Sequence, residues 1–113
     1  MAISFEAIGQ TLVTFAAEAT LEAGRVCRVT KNGTVGACEA GESFCGVAAQ
    51  VRGGLAGVVT QGYVELPYSG TAPTPGYAAL AADAEGGVCT QEGGREYLVV
   101  QVDTQNKITG LFL

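Results

Sequence analysis

Polar and apolar residues interleave in short runs along this chain, and glycine or proline closes almost every run. Thr11-Leu12-Val13-Thr14-Phe15 has the two-residue period of a half-buried strand. Ala16 to Leu21 fits either a connector or a helical turn. Gly24 then opens a strand over Arg25 to Thr30, with Val26 and Cys27 dividing its face at a bulge or edge. Asn32-Gly33 lies between two β-rich runs, and this dipeptide is the strongest short-range hairpin signal, because a type I′ turn needs φ > 0 at both central residues. Thr34 to Cys38 is the return strand. Phe44 to Arg52, a turn at Arg52-Gly53-Gly54, and Leu55 to Tyr68 follow, with a bend or bulge expected at Gly57 and Gly62 and a stop at Pro67. Ser69 to Gly76 is a Pro/Gly/Thr loop. Tyr77 to Asp83, Gly87 to Thr90, Tyr97 to Asp103 and Lys107 to Leu113 supply the remaining strands, and Tyr97 to Val102 is apolar enough to be central.

Seven to nine short strands and no convincing helical stripe predict an all-β fold, a sandwich or small barrel. A chain of 113 residues has room for one domain with a small core. Within it, residues 1–20 divide off as an N-terminal arm and first strand, and residues 21–113 as the β domain. At an offset of 52, Gly24-Arg25-Val26 to Gly41 aligns with Gly76-Tyr77-Ala78 to Gly93, and Val47 falls on Val99. This is either an internal repeat or two hairpins of similar build.

Composition narrows the function. The chain has 17 glycines, no histidine, no tryptophan and a single methionine, Met1. Without histidine it lacks the side chain that most often serves as general base or metal ligand near neutral pH. Only 15% of residues are charged, so much of the surface must show Ala, Gly and Thr atoms, which favours a protein that covers part of that surface with a partner. The net charge is -5, and Arg25, Arg28, Lys31, Arg52, Arg95 and Lys107 are dispersed, which argues against nucleic-acid binding. No stretch approaches the roughly 20 apolar residues of a membrane helix. The start MAISFE lacks the basic and long apolar regions of a signal peptide, so a cytoplasmic origin is expected.

Cys27, Cys38, Cys45 and Cys89 are spaced by 11, 7 and 44 residues, matching no CxxC zinc or redox pattern, and read as free thiols. Glu42-Ser43-Phe44-Cys45-Gly46 has no GxSxG arrangement and no imidazole for Cys45. Glu39 and Glu42 read as a solvated turn around Gly41, not as a glycosidase pair. Asp83 and Glu85 are too few for a calcium loop. Gly53-Gly54 and Gly93-Gly94 sit in hairpins, outside the strand-to-helix context of a phosphate loop. Lys31 beside Asn32-Gly33 is the only loose candidate for a lipoyl- or biotinyl-type carrier lysine. No enzyme activity, cofactor or metal site is predicted.

Three segments together carry a resemblance: Ala23-Gly24-Arg25-Val26-Cys27-Arg28-Val29, Phe44-Cys45-Gly46-Val47-Ala48, and Gly62-Tyr63-Val64-Glu65-Leu66-Pro67. Pro75-Gly76-Tyr77-Ala78-Ala79-Leu80, Val99-Val100-Gln101-Val102-Asp103 and Leu111-Phe112-Leu113 extend it over about residues 21–113. The pattern resembles small tailed-phage and prophage head-decoration (capsid cement) proteins. The four cysteines, the apolar N-terminus and Ala where the family often has a larger residue are departures. The resemblance implies a β-sandwich or tulip-like β-barrel on the capsid exterior of a virion, often a homotrimer, bridging major capsid protein subunits. A small-molecule or glycan-binding β-module on a phage head fibre is the alternative.

Ile3, Phe5 and Ile8 precede the first strand, and nothing local in Met1 to Gly9 can bury them. They are the candidate capsid- or protomer-binding residues. Burying each is worth roughly 1.5–3 kcal/mol, and ordering each arm residue costs roughly 1–2 kcal/mol. Side chains alone do not offset that, so strand pairing is required as well.

Overall fold

The computed structural model describes residues 10–113, and ten strands run through them. They are β1 (Thr11–Ala17), β2 (Val26–Lys31), β3 (Thr34–Ala37), β4 (Gly46–Arg52), β5 (Leu55–Gln61), β6 (Tyr63–Ser69), β7 (Gly76–Ala82), β8 (Val88–Thr90), β9 (Arg95–Asp103) and β10 (Ile108–Phe112). The all-β expectation holds. The first five strands form one sheet that closes on itself in the order β1-β3-β2-β4-β5. The last five close as β10-β6-β8-β7-β9.

The two sheets repeat each other. The parallel pair β1·β3 has its counterpart in β6·β8, and the antiparallel pairs β2·β3, β2·β4, β4·β5 and β1·β5 correspond to β7·β8, β7·β9, β9·β10 and β6·β10. The offset of 52 is written in the register: Val47 pairs with Val59 as Val99 pairs with Leu111, and Leu12 pairs with Val59 as Val64 pairs with Leu111. Of the two readings of the 52-residue offset, the pairing supports an internal repeat, which extends beyond the hairpins that first indicated it.

Several local expectations change. β1 runs on to Ala17, so Ala16 is strand, with a turn beginning at Ala19. At the Asn32-Gly33 turn only Gly33 has positive φ (65°), so the turn is not type I′, and the register slips between Val29 and Lys31 beside it. The positive-φ pair expected there occurs at Gly53 (59°) and Gly54 (79°), which close the tight β4–β5 hairpin between Arg52 and Leu55. The long run splits at Gly62, as expected, whereas Gly57 lies within β5, paired with Thr14 and Gln50. Pro67 does not end it: β6 passes through Pro67, which pairs with Ile108, and the parallel ladder to β8 begins only at Tyr68, after the missing N–H.

Two hydrophobic clusters hold the sheets. The larger joins Val26, Phe44, Val47 and Val59 of the first half to residues of the second such as Val64, Leu66, Leu80, Tyr97, Val99 and Leu111. The smaller, within the first half, contains Leu21, Cys27, Val35, Ala48, Ala56 and Val58. Consecutive residues therefore part company: Val26, Val47 and Val59 enter the larger cluster, while Cys27, Ala48 and Val58 enter the smaller. Val26 and Cys27 do not mark an edge; both faces of β2 are covered there. A strand buried on both faces loses the alternation of a half-buried one, which is why these runs read as continuous apolar segments.

Candidate functional site

β1 presents its alternate residues Leu12, Thr14 and Ala16 on one face, across from Val59, Gly57 and Leu55 of β5. Val59 is buried in the larger cluster, but the face emerges into solvent beyond it: Leu12 is 58% exposed and Leu55 is 55% exposed. Gly57 lies under Leu12, with room of ordinary van der Waals contact at 3.5 Å to Leu12 Cδ2 for the Cβ it lacks. Gln50 and Arg52 of β4 pair with Gly57 and Leu55 and border the patch on one side, and Lys31 lies beyond Thr34 on the other, so its charges lie at the margins. Thr11 to Phe15 have ladder partners on β5, whereas β3 pairs only with Ala16 and Ala17. Among the described residues, the outer half of β1 thus has no ladder partner on its second edge, beside an apolar face low in charge.

The repeat gives this face a counterpart that is covered. Leu12 and Thr14 correspond to Val64 and Leu66 of β6, which are 8% and 1% exposed in the larger cluster. The same sheet surface is packed in one half and bare in the other. Sequence reasoning missed this patch; Leu12 reads as an ordinary half-buried strand residue, and only the unequal packing of the two halves reveals it. Ile3, Phe5 and Ile8, the residues singled out from the sequence, lie outside the described residues. The chain that follows them enters at Gln10, where a Cβ on Gly62 would come within 2.8 Å of the Gln10 Cα.

A second candidate is polar. A hollow of about 270 Å³ on the β9–β10 hairpin is lined by Glu65, Gln101, Asp103, Asn106 and Ile108, among others. Its groups largely satisfy one another: Gln101 Nε2 donates to Glu65 Oε2 at 3.1 Å and to the Tyr63 hydroxyl, and Asn106 Nδ2 donates to Asp103 Oδ2 at 2.8 Å. The Asn106 hydrogen bonds hold the Asp103 carboxyl below its ordinary range.

The constellations set aside as chemistry resolve into structure. Glu42 Oε1 accepts from the Glu39 backbone N–H and lies 3.0 Å from Arg28 Nε, an ion pair whose alignment leaves that N–H without a formal hydrogen bond. Asp83, 6% exposed, is a turn organiser: it accepts from Ser69 Oγ at 2.7 Å and from the Glu85 and Gly87 N–H groups at 2.8 Å. Lys31 ends β2 and pairs with Thr34. Among the described residues, no group of three His, Cys, Asp or Glu could hold a metal ion, and no helix is long and apolar enough to cross a membrane.

All four cysteines are free, and three of them neighbour one another at the head of β4. The Cys45 N–H donates to the Cys27 carbonyl at 2.8 Å, while Cys27 pairs in register with Gly46. Cys45 and Gly46 thus both oppose Cys27, as in a bulge, and the extra residue breaks the alternation that would send Cys45 to the other face. Gly46 is obligatory here, since a Cβ would lie 2.3 Å from the Val59 carbonyl oxygen. The neighbouring Cys27 thiol, which donates to the Gly46 carbonyl at 3.7 Å, brings Cys45 down to about 7, against the opposing effect of burial. Cys45 in turn, with burial, pushes Cys27 far up. Burial chiefly raises Cys38 to about 11.

No family model and no curated protein matches this chain.

Proposed function

We propose that this is a non-enzymatic structural protein of a phage virion, one that attaches to the capsid exterior and stabilises it by bridging major capsid protein subunits. The observation that carries the reading is the exposed β1–β5 face, apolar and low in charge, beside a β1 edge that has no ladder partner among the described residues; Ile3, Phe5 and Ile8 precede that strand in the sequence. A partner strand laid on that edge would supply the backbone pairing that ordering the N-terminal segment requires. Many copies on one shell turn modest contacts into high avidity. Self-association, most simply as a homotrimer, uses the same low-charge surface. The family resemblance supports the same reading.

The test is electron microscopy and co-sedimentation of purified shells mixed with the full chain, with sedimentation velocity of the free protein. Wild type is expected on the shell exterior, and a Leu12→Asp/Leu55→Asp variant is expected to keep its circular dichroism melt while binding is lost. A deletion of residues 2–9 should behave likewise. Failure of wild type to bind shells, or unimpaired binding by both variants, overturns the reading. A glycan-dependent rise in melting temperature instead favours a binding module built on the polar hollow.

A further inference from the structure

We propose that Cys45 and Cys27 form a peroxide-reactive thiol pair, in which Cys45 attacks a hydroperoxide and Cys27 resolves the product into an intramolecular disulfide. Access divides the roles. Cys27 is 0% exposed, out of reach of a solute. Cys45 is only partly buried and lines a surface hollow with Arg28, Phe44 and Arg95. Phe44 stacks on Tyr97 with ring centroids 5.0 Å apart, and Arg95 sits 5.0 Å from the centre of the Tyr97 ring, so one wall of the hollow is fixed and carries positive charge.

The backbone bond from Cys45 to Cys27 anchors the two residues on neighbouring segments, and the Cys27 thiol donates to the carbonyl of Gly46, the residue after Cys45, at 3.7 Å, which places the Cys27 sulfur at the head of β4. The two residues oppose each other across the bulge, and a disulfide between them requires a Cα separation of roughly 4.4–6.8 Å. The neighbouring Cys27 makes Cys45 the more acidic sulfur, so Cys45 supplies thiolate, the nucleophilic form, more readily than the other thiols.

The chemistry closes on these two residues and one oxidant. The Cys45 thiolate attacks one oxygen of ROOH, the O–O bond breaks, and RO⁻ leaves and is protonated from water or from the released Cys45 proton to give ROH. This yields Cys45–SOH. The Cys27 sulfur then attacks the Cys45 sulfur, the S–O bond breaks, and hydroxide departs with the Cys27 proton as water. Overall, two thiols and ROOH give one disulfide, ROH and water. The bond would tie β2 to the head of β4 and fix the connection that carries Cys38 and Glu42. It is independent of capsid attachment.

The experiment treats the full-length protein with stoichiometric hydrogen peroxide at pH 7.5, followed by non-reducing peptide mapping with fragmentation. The expected product is a Cys27–Cys45 crosslink that also forms in Cys38→Ser and Cys89→Ser, raises the melting temperature and is reversed by dithiothreitol. In Cys27→Ala, which also removes the group that lowers Cys45, oxidation should be slower and should stop at a Cys45 sulfenic acid trapped by dimedone. If that variant fails to fold, relative rates in wild type decide: iodoacetamide should label Cys45 about tenfold faster than Cys38 or Cys89 at pH 7. A crosslink through Cys38 or Cys89, or Cys45 reacting no faster than the other thiols, overturns the proposal.

Discussion

Val47 and Val99 occupy equivalent places in the two halves of the molecule: each pairs with the residue twelve positions further along its own hairpin, Val59 and Leu111, and all four side chains meet in the larger cluster. The repeat is therefore a packing device as well as a topological one. Each half contributes the same hairpin face to a common core.

That sharing predicts how truncations behave. Val47→Ala and Val99→Ala each remove two methyl groups from the common core, and each is expected to lower stability by about 1.5–3 kcal/mol. Leu12→Ala, at the exposed equivalent of buried Val64, should stay within about 0.5 kcal/mol. Urea denaturation of the three variants checks this, and a large loss at Leu12 would show that the β1 face is packed in the free protein.

Asp83 gives a second expectation. Its carboxylate satisfies the Glu85 and Gly87 N–H groups and Ser69 Oγ at a site only 6% exposed. Asp83→Ala orphans those donors and is expected to cost about 2–4 kcal/mol, whereas Asp83→Asn retains one acceptor oxygen and should cost roughly half as much. Thermal unfolding of both variants distinguishes hydrogen bonding from mere volume.

The thiols set the alkaline behaviour. Cys27 and Cys38 keep their protons in the folded chain above the ordinary thiol value of 9.0, chiefly through the Cys45 contact at Cys27 and through burial at Cys38. Between pH 9.0 and about 11 the unfolded chain loses protons that folded Cys38 retains, so the stability this group contributes is full below 9.0 and falls as pH rises. Cys45 has the opposite sign: its contribution is present above 9.0 and lost as pH falls toward about 7. The urea midpoint is expected to drop from pH 9 to 11, with a smaller drop in Cys38→Ser, and Cys45 alkylation should reach half its limiting rate near pH 7. A midpoint that is flat across the alkaline range contradicts the raised thiols.

Much of the architecture was legible before any coordinates. Strand period, glycine punctuation and the absence of a helical stripe define an all-β chain, because alternation and φ > 0 are local properties. The match of Gly24–Gly41 to Gly76–Gly93 raised the repeat as one of two readings, since equivalent hairpins need equivalent turns, and the strand pairing chose between them. The Asn32-Gly33 expectation failed in type because neighbouring pairing, with its slip between Val29 and Lys31, overrode the intrinsic preference of the dipeptide. The stop at Pro67 failed because the missing N–H falls where the parallel ladder has not yet begun.

What the sequence determined by itself is thus the local grammar: strands, bends at Gly62 and Gly53-Gly54, free thiols, and a surface poor in charge. Only the tertiary structure decided which face of each strand is covered. Leu12 and Val64 are similar apolar residues at equivalent positions of a repeat, yet one is 58% exposed and the other 8%. Likewise, no spacing rule puts Cys27 beside Cys45; a bulge on a neighbouring strand does. Burial and side-chain proximity depend on residues distant in sequence, because a sheet face acquires its environment only when another part of the chain, or another molecule, packs against it.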